Sequence, residues 1–272
     1  KFFLYLSLFI LVIVLFYPVA FNLETGISIF EAEAWEKFGR FLRSWTFLTT
    51  LFQLSVTLLV CLIYSAVSEN LGHSVFLNFF TGKYNKPVVE ERTFMFLDMK
   101  SSTTIAETLG HVKYFDLLQD YYNLMSDAII DCLGEVYQYI GDEIVVSWKM
   151  EEGLKNANCI RCYFDIRKKM ESQRDQIKAK YDCEIDFKAG LHFGEVTIGE
   201  IGALKKEIIF TGDVLNTTAR IQEYCGKSQS PILISKELKE TLPTNNYSFT
   251  SKGEILLQGK NKIEELFEVE KK

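Results

Sequence analysis

Residues 134–148 read GEVYQYIGDEIVVSW, in which two runs rich in β-forming residues flank the dipeptide Gly141-Asp142. Two such runs separated by two turn residues are typical of a β-hairpin, here with the reversed order Gly-Asp at the turn. We therefore predict strands at Glu135–Ile140 and Glu143–Trp148. This hairpin would place the carboxyl group of Asp142 at its tip.

Upstream of the hairpin, Thr93–Leu97 is a run of β-formers that stops at Asp98, as a buried strand does where it leaves the core. If this strand pairs beside the hairpin, the carboxylates of Asp98 and Asp142 project from one edge of a sheet. Such a pair is a site for hard cations such as Mg²⁺ or Mn²⁺, which also bind substrate phosphates. Each Asp taken alone is better explained as a turn residue or a helix cap.

Downstream of the hairpin, residues 211–222 read TGDVLNTTARIQ and predict a helix from about Asp213 to Tyr224. Asn216 and Arg220 stand four residues apart and therefore lie on one face of that helix. A guanidinium and a neutral amide directed at one spot suit a phosphoryl group that gains charge beside a sugar oxygen. Taken alone, this pair is better explained as part of an ordinary exposed helix.

Short apolar runs and amphipathic segments alternate through the rest of this region. We predict a long helix whose buried stripe runs from Phe115 through Tyr122 to Cys132, and another from about Glu151 to Lys180. One strand is expected on each side of Gly194, and four more strands follow these two. The predicted strands lie at Phe187–Phe193, Glu195–Ile201, Glu207–Phe210, Ile232–Ile234 and near Ile255 and Phe267. The order of elements predicts an α+β fold, one sheet with helices on one face.

The N-terminal part of the chain is different in character. Phe2–Leu23 and Ser44–Ser68 contain no charged residue, and each is long enough to cross a bilayer as a helix. A signal peptide fits the first stretch poorly because no small-residue cleavage site follows it, and a soluble core helix fits the second poorly because it is apolar on every face. We predict transmembrane helices at about 2–23 and 45–67 within a membrane region 1–68, followed by a juxtamembrane connector 69–90 and a soluble domain 91–272.

Charge and cysteine content narrow the possible partners. The first 68 residues carry four basic and four acidic side chains, so the net charge of −6 belongs to the remainder. An acidic domain repels a phosphate backbone, and we predict no nucleic-acid partner. Six scattered cysteines form no secreted disulfide framework, and the pair Cys159 and Cys162 is expected to be two thiols on one helix. The soluble part should therefore face a reducing cytoplasm.

Three motifs in this order resemble the class III nucleotidyl cyclases, the adenylyl and guanylyl cyclase catalytic domain. They are FLDMKSS with Asp98, GEVYQYIGDEIVVSW with Asp142, and TGDVLNTTARIQ with Asn216 and Arg220, and the resemblance runs from about Glu91 to Val269. It implies a ferredoxin-like βαββαβ sheet and two Mg²⁺ or Mn²⁺ ions held by Asp98 and Asp142, with the Met99 carbonyl as a further ligand. Arg220 would stabilise the α-phosphate in the transition state and Asn216 would orient the ribose.

The resemblance further implies the reaction and the assembly. ATP would be converted to 3′,5′-cyclic AMP and pyrophosphate when the ribose 3′-hydroxyl attacks the α-phosphorus. In this family the metal carboxylates come from one protomer and the Asn/Arg pair from the other, so a head-to-tail homodimer is expected. The chain would be a multi-pass protein of the cell (inner) membrane, in contact with lipid, with its catalytic domain in the cytoplasm.

The chain departs from the family at positions that read the base and the triphosphate. Gln138 replaces the base-reading Lys of adenylyl cyclases, Ile209 replaces the residue that receives the adenine amino group, and Thr211 is a substitute if the register differs. A triphosphate-binding Lys falls on Gln258, with Lys260 and Lys262 close by. We favour ATP over GTP, because the carboxylate and the small residue typical of guanylyl cyclases are absent at positions 138 and 209.

Other readings of the sequence remain open. Guanylate cyclase activity is the main alternative, and a catalytically silent cyclase-like regulatory or dimerisation module is the second. Retention of all four motif residues disfavours the silent module, whereas Gln138, Ile209 and Gln258 favour it. A diguanylate cyclase would require Gly-Gly-Asp-Glu-Phe where this chain has Tyr139-Ile140-Gly141-Asp142-Glu143-Ile144. A two-metal nuclease is disfavoured by the acidic surface.

Overall fold

A computed structural model describes residues 1–28, 30–71, 81–204, 206–243, 246–259 and 263–272. The chain divides into two compact units, Lys1–Gly82 and Lys83–Lys272. The predicted boundaries at residues 68 and 90 remain a proposal. Over the described residues, the first unit is helical and the second combines helices with a sheet.

The N-terminal unit contains α1 (Phe2–Thr25), α2 (Ala32–Leu42) and α3 (Trp45–Leu71). Phe2–Thr25 and Trp45–Val67 are long and apolar enough to cross a membrane, with mean hydropathies of 2.6 and 2.0. Helix α2 was not predicted; it is amphipathic and carries an ion pair between Glu33 and Lys37 at 3.1 Å. Its Phe38 is buried, with its ring centroid 5.1 Å from that of Tyr17 on α1.

Within the described residues of the C-terminal unit, eight strands form one sheet. They are β1 (Val88–Met99), β2 (Glu135–Ile140), β3 (Glu143–Lys149), β4 (Phe187–Ile201), β5 (Glu207–Thr211), β6 (Ile232–Ser235), β7 (Tyr247–Leu256) and β8 (Ile263–Lys271). The order across the sheet is β2-β3-β1-β4-β6-β8-β7, with β5 paired to β4. All pairs are antiparallel except β4 with β6. The predicted hairpin is confirmed, since β2 and β3 flank Gly141-Asp142.

Helices connect these strands. They are α4 (Ser102–Leu109), α5 (His111–Asp131), α6 (Met150–Leu154), α7 (Asn158–Ser172), α8 (Arg174–Tyr181), α9 (Asp213–Ser228) and α10 (Lys236–Thr241), with a 3-10 turn at Lys155–Ala157. The order β1-α-β2-β3-α-β4 gives the ferredoxin-like βαββαβ arrangement that the sequence predicts. The predicted α+β fold is thus confirmed.

Strand β1 is central and buries both of its faces. Met95 and Leu97 pack in the core beneath α5 and α7, whereas Phe94 and Phe96 pack in a second core with Val214 of α9. This near-continuous burial follows from the alternation of side chains along a strand, because both faces of the sheet are covered. Helix α9 thus adds a layer on the face opposite α5 and α7, whereas the sequence predicts helices on one face only.

Three local predictions are wrong. The helix expected over 151–180 is interrupted, because Asn156 and Ala157 adopt positive φ angles of 54° and 52°. The two strands expected around Gly194 are one strand, β4, in which Gly194 stays in register opposite Arg92. Phe115, expected in the buried stripe of α5, is exposed, and Leu117 is buried instead.

A buried ion network fixes the register of β1 against the hairpin. Arg92 is only 1% exposed, and its guanidinium donates to Glu90 at 3.0 Å, to Glu135 of β2 at 2.7 Å and to Ser147 of β3 at 3.0 Å. A buried charge is tolerated when its donors are paired in this way. The network joins β1, β2 and β3 near Arg92. The β1–β3 register that it supports places Asp98 opposite Glu143 at the other end of this strand pair.

Helix α9 approaches the sheet closely at Gly190 of β4. A Cβ atom at Gly190 would lie 2.3 Å from the backbone nitrogen of Gln222 and 2.8 Å from its Cα. Only glycine permits this approach without moving either the helix or the strand. By contrast, a Cβ atom at Gly226 of α9 would have no neighbour within 4 Å among the described residues.

These two glycines give a matched test of helix packing. Gly190→Ala should destabilise the C-terminal unit by about 1–3 kcal/mol, because backbone atoms must move apart. Gly226→Ala should stabilise it by up to about 1 kcal/mol, because alanine is the better helix former. Chemical denaturation of the full chain in detergent, followed by circular dichroism, measures both. Equal effects at the two positions would contradict the close approach.

Candidate active site

The register of the sheet brings the two predicted carboxylates together. Asp98, near the end of β1, pairs across the strands with Glu143, the first residue of β3. Asp142 directly precedes Glu143 in the hairpin turn, where Gly141 has a positive φ of 64°. Such a φ is easy for glycine and allows the two-residue turn that holds Asp142 at the edge. Asp98 and Asp142 are both half-buried.

The proximity of these negative charges perturbs their protonation. Burial, and next the Asp142 carboxylate within hydrogen-bonding reach, raise the pKa of Asp98, against the opposing effect of Lys188. Burial, followed by the charges of Asp98 and Asp142, also raises the pKa of Glu143 to about 7. Like charges in a partly dry site disfavour ionisation of one another. A cation placed among them would relieve this repulsion.

Tyr122 of α5 holds the hairpin turn in place by hydrogen bonding to its backbone. Its hydroxyl donates to the carbonyl oxygen of Gly141 at 2.7 Å and lies 3.4 Å from that of Glu143. Its ring contacts the ring of Tyr139, with centroids 4.5 Å apart. Burial and the nearby Asp142 charge raise the pKa of Tyr122, so the group stays a hydroxyl donor at neutral pH. The turn that carries Asp142 is therefore held by a side chain from a separate element.

Two further residues contact Asp98 that the sequence analysis did not select. The ammonium of Lys188 in the neighbouring strand β4 lies 3.2 Å from Asp98 Oδ2, and the side-chain amide of Gln222 on α9 donates to the same oxygen at 3.0 Å. Lys188 stands opposite Asp98 in the β1–β4 register. A register prediction for β4 would have found Lys188, whereas no local sequence signal marks Gln222.

The donor set fits a divalent cation of the hard type. Carboxylates and backbone carbonyls are the oxygen ligands that Mg²⁺ prefers, and such ions keep several positions for water or substrate phosphates. Among the described residues there is no cluster of three or more His, Cys, Asp and Glu side chains that could hold a metal. A site built from Asp98, Asp142 and the Met99 carbonyl would leave the remaining coordination positions to water or to substrate phosphates.

A cleft of about 520 Å³ opens beside Asp98. It is lined by Lys188 and Lys100, by the start of α4 at Ser102, and by the C-terminal part of α9. Two ammonium groups and the backbone amides at a helix N-terminus are all suited to anions. The cleft is therefore chemically matched to a polyanion that also binds cations at Asp98.

The predicted pair on α9 does not reach the carboxylates of its own chain. Asn216 is exposed, and Arg220 Nη1 donates to both oxygens of Glu223 at 2.7 Å each. Within the described part of the chain, neither Asn216 nor Arg220 contacts Asp98 or Asp142. Helix α9 contacts the edge that carries Asp98 through Gln222 instead.

The residues predicted to read the base lie on neighbouring segments. Gln138 is exposed at an irregularity of the β2–β3 ladder, Ile209 is half-buried in β5, and Thr211 is exposed at the end of that strand. The rings of Tyr137 and Phe210, which adjoin Gln138 and Ile209 in sequence, stack with centroids 4.5 Å apart. The predicted phosphate ligand Lys260, with Lys262, lies outside the described residues, and Gln258 is exposed.

Comparison with known proteins places this architecture in a family. Residues 84–269 match the family model described as "Adenylate and Guanylate cyclase catalytic domain". The chain is 37% identical over 176 residues to "Adenylate cyclase 2" of Rhizobium meliloti (strain 1021), a match that covers 65% of this chain and 48% of that protein. The chain thus spans about half the length of this relative. It is 29% identical over 192 residues to "Retinal guanylyl cyclase 2" of Bos taurus, covering 66% of this chain and 16% of that protein.

Solved structures share the fold. The adenylyl cyclase CyaB from P. aeruginosa superposes with a TM-score of 0.62 at 23% identity, over 69% of this chain and 97% of that one. The guanylyl cyclase Cya2 gives a TM-score of 0.58 at 20% identity, over 67% of this chain and 92% of that one. These likenesses show the fold, which adenylyl and guanylyl cyclases have in common.

The raised pKa of Glu143 predicts how pH affects stability when metals are removed. The carboxyl binds its proton more tightly in the folded chain than in the unfolded chain, so its contribution favours folding at low pH and is lost as pH rises through about 7. In EDTA, the thermal midpoint should therefore rise by a few degrees between pH 8 and pH 6. Glu143→Gln should raise the midpoint at pH 8 and flatten this dependence.

Differential scanning fluorimetry of the full chain in detergent measures these midpoints. Glu151→Gln, a change at an exposed glutamate of α6, is the matched control and should leave the pH dependence as it is in the parent chain. An unchanged pH dependence in Glu143→Gln would show that repulsion at this edge is not the cause.

Proposed function

The chain belongs to the family of adenylate and guanylate cyclase catalytic domains, and we propose that it converts ATP into 3′,5′-cyclic AMP and pyrophosphate. In this reaction the ribose 3′-oxygen forms a bond to the α-phosphorus, the bond from that phosphorus to the bridging oxygen breaks, and the hydroxyl proton is released. The observation that carries the proposal is the proximity of the Asp98 and Asp142 side chains at one sheet edge, beside a cleft suited to a polyanion.

The metal ligands follow from the donor set. We propose that Asp98, Asp142 and the Met99 carbonyl hold two Mg²⁺ or Mn²⁺ ions together with the nucleotide phosphates. Two such ions would lower the pKa of the attacking hydroxyl and neutralise charge on the phosphates. Burial, and next the charge of Asp142, raise the pKa of Asp98, and a cation at this position would offset both effects.

The cleft beside Asp98 is proposed to bind the triphosphate. Lys188 faces Asp98 at 3.2 Å, and a cation at Asp98 would repel this ammonium toward the phosphates. Lys100 and the N-terminus of α4 supply further positive potential on the same wall. Lys260, proposed from the sequence, would add to it from the segment after β7.

We propose that the active unit is a head-to-tail homodimer in which Asn216 and Arg220 act on the nucleotide held by the partner. Gln222 and Arg220 are two positions apart on α9 and so point in nearly opposite directions around the helix. Since Gln222 is committed to its own Asp98, Arg220 is directed away from that carboxylate. The guanidinium would stabilise charge on the α-phosphate of the partner's nucleotide, and the Asn216 amide would orient its ribose.

The base pocket is proposed to accept adenine in preference to guanine. The Gln138 amide can donate to adenine N1 or accept from guanine N1-H, so it permits both bases. Ile209, half-buried beside the Tyr137–Phe210 stack, offers no polar group to either base, and Thr211 is the nearest hydroxyl in the same strand. Guanylate cyclase activity is the second candidate, favoured by this ambiguity of Gln138.

The location of the protein is proposed from the two apolar helices. With α1 and α3 crossing the cell (inner) membrane, residues 1–68 would anchor the chain in lipid, 69–90 would connect, and 91–272 would face the cytoplasm, where nucleoside triphosphates are made. Tethering in a membrane raises the local concentration of protomers and so favours the homodimer.

A complementation experiment tests the shared site. Asp142→Ala and Arg220→Ala should each lower kcat by at least about 10²–10³-fold, because each removes a charge needed in the transition state. Co-expressed and selected for both tags, the two inactive chains should recover about half of parental activity per dimer, because every doubly tagged dimer is mixed and has one of its two sites intact. Cyclic AMP formation by purified, doubly tagged dimers with Mn²⁺ and ATP is the measurement.

The control for this experiment is Asp127→Ala, which removes an exposed carboxylate of α5 and should keep parental activity. No recovery on mixing would mean that each chain uses its own Arg220. If the parent chain cyclises neither ATP nor GTP, the catalytically silent module becomes the better description.

Nucleotide choice is tested with the parent chain and one substitution. The parent should show a higher kcat/KM for ATP than for GTP with Mn²⁺. Gln138→Glu should shift the ratio toward GTP by about tenfold or more, because a carboxylate accepts from guanine N1-H and repels the unprotonated adenine N1. A parent chain that prefers GTP would make guanylate cyclase the correct assignment, and an unchanged ratio in the variant would remove Gln138 from the pocket.

A further inference from the structure

The side chain of Gln222 is buried against the metal edge. It is 4% exposed, and its amide nitrogen donates to Asp98 Oδ2 at 3.0 Å. Gln222 is not one of the metal or transition-state positions in the three motifs. It contacts Asp98 from α9, which packs on the sheet face where Phe96 is buried. A long polar side chain is seldom buried unless its polar atoms are paired.

The backbone of Gln222 is fixed by packing that is independent of this hydrogen bond. Gly190 of β4 leaves only enough room for the Gln222 backbone, and one turn later the thiol of Cys225 lies 3.3 Å from the carbonyl oxygen of Ala189. Gly190 pairs with Phe96 on β1, two residues before Asp98. The donor is therefore held at a constant position relative to the strand that carries its acceptor.

We propose that Gln222 is a positioning residue that orients the Asp98 carboxylate for cation binding. The amide is neutral, so it restricts rotation of the carboxylate without competing with a cation by charge. Lys188, which contacts the same oxygen, is charged and would be repelled by a bound cation. Of these two contacts, only that of Gln222 can thus orient Asp98 in both the free and the cation-bound chain. Hydrogen-bond partners of metal ligands contribute to metal affinity in this manner.

This inference rests on the proposed function, because it assumes that Asp98 binds a divalent cation. It adds a specific consequence for the proposed homodimer. Gln222 acts on Asp98 of its own chain, whereas Arg220, two residues earlier on the same helix, acts on the nucleotide of the partner. Loss of Gln222 should therefore damage the site that contains its own Asp98 and spare the site that uses its own Arg220.

Direct metal binding is the first test. Mn²⁺ binding to the full chain in detergent, without nucleotide, is measured by electron paramagnetic resonance, which separates free from bound Mn²⁺. Gln222→Met keeps the length and apolar volume of the side chain but removes the donor, and should weaken Mn²⁺ binding by about 10- to 100-fold. Gln119→Met, at an exposed position of α5, should change it less than about twofold.

The fold is monitored by thermal unfolding in EDTA, and the Mn²⁺ affinity is compared only between chains with equal midpoints. If Gln222→Met shifts the midpoint, Gln222→Leu, which also lacks the donor, replaces it. Parental Mn²⁺ affinity in the donor-less variant would overturn the inference. Absence of binding that depends on Asp98, shown with Asp98→Asn, would overturn both the inference and the metal site.

Placement in mixed dimers is the second test. A dimer of one Arg220→Ala chain and one Asp142→Ala chain has a single intact site, with Asp98 from the first chain and Arg220 from the second. Gln222→Met on the Arg220→Ala chain should raise the Mn²⁺ concentration for half-maximal activity by about 10- to 100-fold. The same change on the Asp142→Ala chain should leave that concentration unchanged.

These outcomes separate the two proposals. An inactive mixed dimer with intact Gln222 contradicts the shared active site and not the role of Gln222, which the Mn²⁺ titration still decides. An active mixed dimer that responds equally to Gln222→Met on either chain contradicts the positioning role and leaves the shared site standing.

Discussion

The structure of the catalytic unit depends on one electrostatic constraint, the forced proximity of two carboxylates at the edge of β1 and β3. Asp98 is fixed by the strand register and Asp142 by a two-residue turn. Neither residue can therefore move away from the other without breaking backbone hydrogen bonds. Burial, and next the charge of Asp142, raise the pKa of Asp98. A fold that maintains such repulsion is less stable than one with a neutral edge, and the proposed cation would restore the lost stability by binding the folded chain.

The residues that hold Asp98 and Asp142 in place do not neutralise their charges, so the repulsion between them persists in the absence of a cation. Tyr122 holds the turn by hydrogen bonds to backbone oxygens and not to the carboxylates. The buried Arg92 network supports the register from the far end of β1, and its positive charge is balanced by Glu90 and Glu135. These supporting interactions set geometry without neutralising the edge, and the positive charge that contacts Asp98 in the described part of the chain comes from Lys188.

Features of the fold and site that depend on neighbouring residues in the sequence were predictable, whereas contacts between residues far apart in the sequence were not. The hairpin, both carboxylates and the α+β fold follow from local patterns, because alternation and the Gly-Asp turn act over a few residues. The contacts of Asp98 with Lys188 and Gln222 do not, since they depend on the β1–β4 register and on a close approach at Gly190. The broken helix at Asn156 and Ala157 was missed because neither residue is a Gly or Pro that would mark a left-handed turn.

Helix α9 holds Arg220 away from the carboxylates of Asp98 and Asp142 in its own chain. The guanidinium of Arg220 is paired with Glu223 on its own helix, and the charge of Glu223 also contributes to raising the pKa of Glu143 at the carboxylate edge. Arg220 could turn toward Asp98 only if α9 rotated. The hydrogen bond from Gln222, on the same helix, to Asp98 opposes this rotation. In this structure Arg220 therefore does not neutralise the acidic edge of its own chain. In the proposed head-to-tail dimer, each acidic edge meets the arginine of the other chain only when a nucleotide lies between them, because the nucleotide phosphates supply acceptors for Arg220 and the cations they bring satisfy Asp98 and Asp142.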